Sequence, residues 1–236
     1  MTTIKKGVVL KAIHSAIDRT LTKSPQSNYA QGKAYELKVL VHLLSKLRKK
    51  GDYELSCNLN PTGSTPEKRT LTFGGSPCQP NADEYNCINV KYTPTGLALE
   101  FWISVQVTTL SYELGKIARA RAGNPSKSPE RSDLHEVDIG LYWPLKTKDY
   151  PSYKNLMFSA SCKSGTWRKA FVREALGLRR ELGYVSDQPK HSLAPWFIPT
   201  VHSHPSAPLA LYSSDLRSKL YKGSLDKFGL FVERLA

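Results

Sequence analysis

The stretch from His135 to Leu182 constrains the fold more than any other part of this chain, because it reads as two apolar strands followed by a basic helix. His135-Glu136-Val137-Asp138-Ile139-Gly140-Leu141 sets acids in an otherwise apolar strand. Alternate side chains of a strand share a face. Val137, Ile139 and Leu141 are therefore expected to point one way, and Asp138, Gly140 and Tyr142 the other. In the next strand Leu156, Phe158, Ala160 and Cys162 share the apolar face, with Ser159, Ser161 and Lys163 opposite. A connection over residues 145–154 implies antiparallel pairing, with Asp138 opposite Lys163 or one of its neighbours. Asp138, Ser161 and Lys163 then converge on one polar patch, provided the register does not slip by a residue.

Two helices complete this frame. Gly32-Lys33-Ala34-Tyr35-Glu36 opens a helix running to about Lys50, and Leu40, Leu43, Leu44 and Leu47 place Glu36 on its core-facing stripe. A carboxylate there is costly unless it is paired or binds a cation. Downstream, Thr166 is expected to cap a helix from Trp167 to about Leu182, with Gly183 as its stop. Phe171, Ala175, Leu178 and Leu182 form its apolar face. Glu174 lies beside that face, within reach of the strand ends, and Lys169, Arg173 and Arg180 line another side.

This ordered set resembles the PD-(D/E)XK, or restriction-endonuclease-like, nuclease superfamily. That family's pattern is a glutamate on the first helix, an aspartate on one strand and an acid-x-lysine on the next. Glu36, Asp138 and Lys163 match, while Ser161 stands where the family usually has an acid. Some members with serine there take the missing carboxylate from the following helix, which makes Glu174 the candidate. The Ser-Cys-Lys run followed by a helix and Leu182-Gly183 looks most like nucleases of prokaryotic defence systems. The resemblance covers residues 29–50 and 133–232. It implies an α/β fold with a central mixed sheet flanked by helices. It further implies an endonuclease acting on DNA with Mg2+ or Mn2+, working as a homodimer or with other defence or DNA-processing proteins.

The chemistry suits these residues. Phosphodiester hydrolysis needs an activated water and stabilisation of charge on phosphate oxygens; hard divalent cations provide both, and carboxylates hold them. Asp138 is the first candidate ligand, with Glu174 or Glu36 the second. Lys163 is the group expected to stabilise phosphate charge or orient the water.

Charge points the same way. Lys plus Arg number 34 against 20 Asp plus Glu, a formal net charge of +14. The basic residues are spread over 46–50, 116–121, 163–180 and 216–222, which suits a groove along a phosphate backbone. Lys169, Arg173 and Arg180 are the nucleic-acid-binding candidates. No apolar run is long enough for a membrane span or signal-peptide core, so the expected location is the cytoplasm, with four free cysteines. Residues 4–22 read as an amphipathic helix through Val9, Ile13 and Ile17.

The length suits a single domain, 1–236, in which residues 52–112 form a β-rich insertion. Its strands are expected at Tyr53–Asn58, Arg69–Phe73, Cys87–Tyr92 and Leu97–Leu110, and its role is open between extending the sheet, binding DNA and forming an oligomer interface. Helix is expected to end near Ala122. After the basic helix, Trp196–Val201 reads as a strand, 215–222 as a helix and Phe228–Val232 as a last strand. The spacing of Cys57, Cys78 and Cys87 fits no paired zinc motif.

A rival constellation is His202-Ser203-His204-Pro205 with Asp215 eleven positions after His204. It looks like the JAMM metallopeptidase signature, with Glu136 as the water-activating acid. The serine expected three positions before the aspartate is Tyr212 here. A third reading, permitted by Ser161, is a catalytically inactive DNA-binding module.

Overall fold

Seven strands form one sheet in the order β1-β2-β3-β4-β5-β8-β9, where β1 is Tyr53–Cys57, β2 Ile88–Tyr92, β3 Leu97–Thr108, β4 Leu134–Tyr142, β5 Leu156–Lys163, β8 Leu209–Ser213 and β9 Leu230–Arg234. The computed structural model describes residues 6–23, 27–57, 71–74, 77–123, 128–145, 149–185, 203–205 and 208–236. The first five strands pair antiparallel in series. β8 and β9 continue the sheet in parallel. The chain is thus an α/β protein with a seven-strand mixed sheet flanked by helices.

Helices α1 (Lys6–Lys23) and α2 (Asn28–Lys50) cover one face. Val9, Ile13, Leu40 and Leu44 pack there on Leu55, Val90, Phe101 and Ile139. The Ser27 hydroxyl caps α2 by accepting from the Ala30 amide, and Gly51 ends it at a φ of 84°, a left-handed conformation that glycine adopts without Cβ strain. On the other face lie α3 (Leu110–Arg121), α4 (Lys169–Glu181) and α5 (Lys222–Asp226), the last preceded by a 3-10 turn over Leu216–Tyr221. Leu110, Ala175, Leu178 and Leu225 close that core over Val105, Val107, Val137, Leu209 and Leu230.

The β-rich stretch after α2 extends the sheet: β1, β2 and β3 are its first three strands. Leu71–Phe73 is not a strand, and Arg69 lies outside the described residues. The chain beyond it instead runs alongside β3, where Cys78 makes a parallel bridge to Val105. Helix α4 begins at Lys169 with Arg168 at its cap, two residues later than Thr166 predicts. The Trp167 amide donates to Asp215 Oδ2 at 2.6 Å, which ties the preceding chain to the loop after β8. The strand expected over Trp196–Val201 lies outside the described residues. A separate two-strand ribbon joins β6 (Gly183–Val185) to β7 (Ser203–Pro205).

One departure from regular strand geometry shapes the site. Ile103 pairs with Ile139, and both belong to the core under α1 and α2. Val105 pairs with Val137, and both belong to the opposite core. Residues two apart should share a face, so both strands turn over between these pairs. The turning point is Ser104, with a φ of 55°, beside Asp138. Val137 and Ile139 consequently do not share a face, contrary to simple alternation.

Candidate active site

Asp138 is partly buried where β4 turns over. Its Oδ2 accepts the Cys162 amide at 2.6 Å and lies 3.5 Å from the Ser161 hydroxyl, the limit of a hydrogen bond. The pairing of β4 with β5 sets Ile139 opposite Ala160, which continues to Asp138 beside Ser161. Asp138 therefore stands opposite Ser161, two positions short of Lys163, a shift that keeps the same faces together, and Asp138 and Ser161 do meet. Among the described residues no donor reaches Asp138 Oδ1.

Glu36 projects from α2 into the same region and is only 7% exposed. Its Oε2 accepts Lys33 Nζ at 3.0 Å and the Ser104 hydroxyl at 3.2 Å. Lys33 also donates to Ser104 Oγ. Burial, reinforced by the negative charge of Asp138 and only partly offset by Lys33, pushes the Glu36 carboxyl up to about 7. Burial also raises Asp138, against the opposing pull of Lys163 and the Cys162 amide. Asp138 makes ionisation of Glu36 harder, and Glu136 does the same to Asp138, as expected of carboxylates gathered in one poorly solvated site.

Lys163 ends β5 with its Nζ 2.5 Å from Glu174 Oε1 and 5.5 Å from the Phe171 ring centroid. Glu174 and Phe171 lie one turn apart on α4, so that helix aims the lysine. Burial disfavours the ammonium, but Asp138 and Glu174 outweigh it and hold the Lys163 pKa above its ordinary value. Glu174 is the more exposed partner, at 55% of its side chain against 16% for Lys163. Glu174 reaches back toward the strand ends, where the contact it makes is with Lys163. Burial and the neighbouring acids push the Cys162 thiol well up, leaving it protonated and unreactive.

Three participants were not singled out from the sequence for this site. Lys33 is one turn before Glu36 on α2, a spacing that brings side chains together and was available to see. Glu136, considered only for the peptidase reading, lies with Oε1 3.6 Å from Lys33 Nζ. Ser104 could have been noticed as a lone hydroxyl within the apolar run of β3.

Lys169, Arg173 and Arg180 are exposed on α4. Of the rival set, His202 lies outside the described residues, and His204 is on β7, paired with Tyr184. Asp215 has its carboxylate engaged by the Trp167 amide, by the Arg217 amide at 2.8 Å and by the Arg217 guanidinium at 2.7 Å. These bonds hold its pKa well below the usual carboxylate range. They make it a brace for the loop after β8. Cys57, Cys78, Cys87 and Cys162 are all free thiols.

Among the described residues no three His, Cys, Asp or Glu side chains converge as a ready-made metal cage. Glu36 and Asp138 nevertheless suit a Mg2+-type ion, which is commonly held by one or two carboxylates and completed by water and substrate phosphate. Both hydrogen bonds to Glu36 fall on Oε2, as both to Asp138 fall on Oδ2, so among the described residues neither Glu36 Oε1 nor Asp138 Oδ1 accepts a hydrogen bond.

No described helix is long and apolar enough to cross a membrane. Comparison of the chain with family models, curated proteins and solved structures finds no match.

Proposed function

We propose that this protein is a metal-dependent nuclease of the PD-(D/E)XK type, hydrolysing phosphodiester bonds in DNA. The observation that carries the reading is the meeting of Glu36 from α2 and Asp138 from β4 in one poorly solvated site bordered by Lys163. Asp138 and Glu36 would hold Mg2+ or Mn2+, which when bound would supply water activation and neutralisation of phosphate charge. The Cys162 amide and Ser161 hydroxyl fix the Asp138 carboxylate through Oδ2 and so orient Oδ1. Lys163 presents its ammonium to the phosphate, and Glu174 with Phe171 positions that ammonium. In this assignment Glu36, rather than Glu174, is the second carboxylate ligand, and Glu174 serves the lysine.

The +14 charge supports a polyanionic substrate. Lys169, Arg173 and Arg180, on the helix that aims Lys163, are placed to follow its backbone. A role in prokaryotic defence or DNA processing, as a homodimer or within a larger assembly, is the setting the sequence resemblance implies. The test is incubation of the protein with plasmid and single-stranded DNA in Mg2+ or Mn2+, against an EDTA control. Binding without cleavage would favour the inactive DNA-binding module, the outcome Ser161 makes worth testing.

A further inference from the structure

The nuclease reading leaves one cation of the site without a role. Lys33 extends from the second turn of α2, and its ammonium contacts Glu36 on its own helix at 3.0 Å and Glu136 on β4 at 3.6 Å. It donates to Ser104 on β3, and Ser104 donates in turn to Glu36. The side chain is only 14% exposed, so this is not a surface pair along one helix. Burial disfavours its charge, but Glu36, Glu136 and Asp138, the acids among which the proposed metal ion belongs, together outweigh that penalty.

We propose that Lys33 is a resident counter-cation of this site: its ammonium stands between Glu36 and Glu136 beside Asp138, and a divalent ion binds Glu36 and Asp138 only by displacing it. The inference rests on the reading of those two residues as cation ligands. The physical reason is that a monovalent and a divalent cation a few ångströms apart repel strongly in a poorly solvated site, so the two compete for the same carboxylates. Lys33 thereby keeps the acids from repelling one another when no metal is present, and keeps metal affinity low. It is a positioning residue, acting through the carboxylates rather than on the phosphate.

A lysine that merely tied α2 to the sheet would, when removed, leave cation affinity unchanged or lower it. Removing a competitor raises it. The experiment is a calorimetric titration of Mn2+ into the full chain, comparing wild type with Lys33→Gln, Lys33→Met, Lys33→Arg and the double variant Lys33→Gln/Asp138→Asn. Lys33→Gln keeps a donor for Glu36, so the fold does not depend on the outcome with Lys33→Met; thermal unfolding identifies the folded variants. The expected result is Mn2+ binding about ten-fold tighter in the folded neutral variants, within about three-fold of wild type in Lys33→Arg, and no gain in the double variant. Equal or weaker binding in Lys33→Gln, no measurable binding in any variant, or a gain that survives Asp138→Asn would overturn the proposal. The readout needs no cleavage. Tighter binding in a protein that never cuts DNA leaves this inference standing and removes the nuclease reading. Cleavage by wild type with no gain in Lys33→Gln does the reverse.

Discussion

The backbone amide of Cys162 donates to Asp138 Oδ2 across 2.6 Å, joining β5 to β4 where β4 turns over. The bond separates two functions of Asp138. Its charge serves the proposed chemistry, and its acceptor satisfies an amide of the central sheet. Asp138→Asn retains an acceptor and should fold with a stability near wild type. Asp138→Leu leaves the Cys162 amide unpaired and should cost about 1–3 kcal/mol in chemical denaturation.

Stability should depend on pH through Glu36. Its folded pKa of about 7 lies above the ordinary 4.5, so the folded state binds the proton more tightly than the unfolded chain does. Folding is therefore favoured below about 4.5, and that advantage is lost progressively as pH rises through 7. Glu36→Gln should raise stability at pH 8 by about 1–3 kcal/mol and change it far less at pH 4.5. Denaturant melts at the two pH values check this; equal effects at both would contradict it.

The Lys163–Glu174 pair supplies a third expectation. Glu174→Ala should leave Lys163 less well aimed and slow DNA cleavage by about ten- to one hundred-fold, while Mn2+ affinity stays near wild type, because Glu174 is assigned to the lysine rather than to the metal. If the carboxylate ligand has instead moved to α4, Glu174→Ala will weaken Mn2+ binding.

Binding to DNA should be strongly salt-dependent. Neutralising several phosphates releases counterions, so affinity should fall by roughly ten-fold or more between 50 and 200 mM salt. Replacing Lys169, Arg173 and Arg180 together should flatten that slope. Fluorescence anisotropy with a labelled duplex measures both, and a flat wild-type response would remove the polyanion argument.

Much of this site was legible as residue types at intervals. Periodicity put Glu36 on the inner stripe of α2, and the two apolar runs put Asp138 and Lys163 on neighbouring strands. What alternation could not show was the reversal at Ser104. The rule assumes regular strand dihedrals, and a serine between Ile103 and Val105 carries no sign of a φ of 55°. That reversal separates Val137 from Ile139. Thr166 looked like the better cap for α4, but capping preference is local, while the contact that orders this turn comes from Asp215, 48 positions from Trp167. Lys33 went unread for a different reason: an i, i+3 pair on a helix is usually a weak surface feature, and only the tertiary approach of Ser104 and Glu136 makes this one part of the site.

The most direct test is cleavage of supercoiled plasmid in Mg2+ or Mn2+ by wild type, Asp138→Asn and Lys163→Met, with EDTA as the control. The account predicts metal-dependent nicking or linearisation by wild type. It predicts loss of at least about one hundred-fold in rate for each variant, with folding and DNA binding retained. Undiminished cleavage by Asp138→Asn and Lys163→Met, or no cleavage by a folded, DNA-binding wild type with either metal, would contradict it.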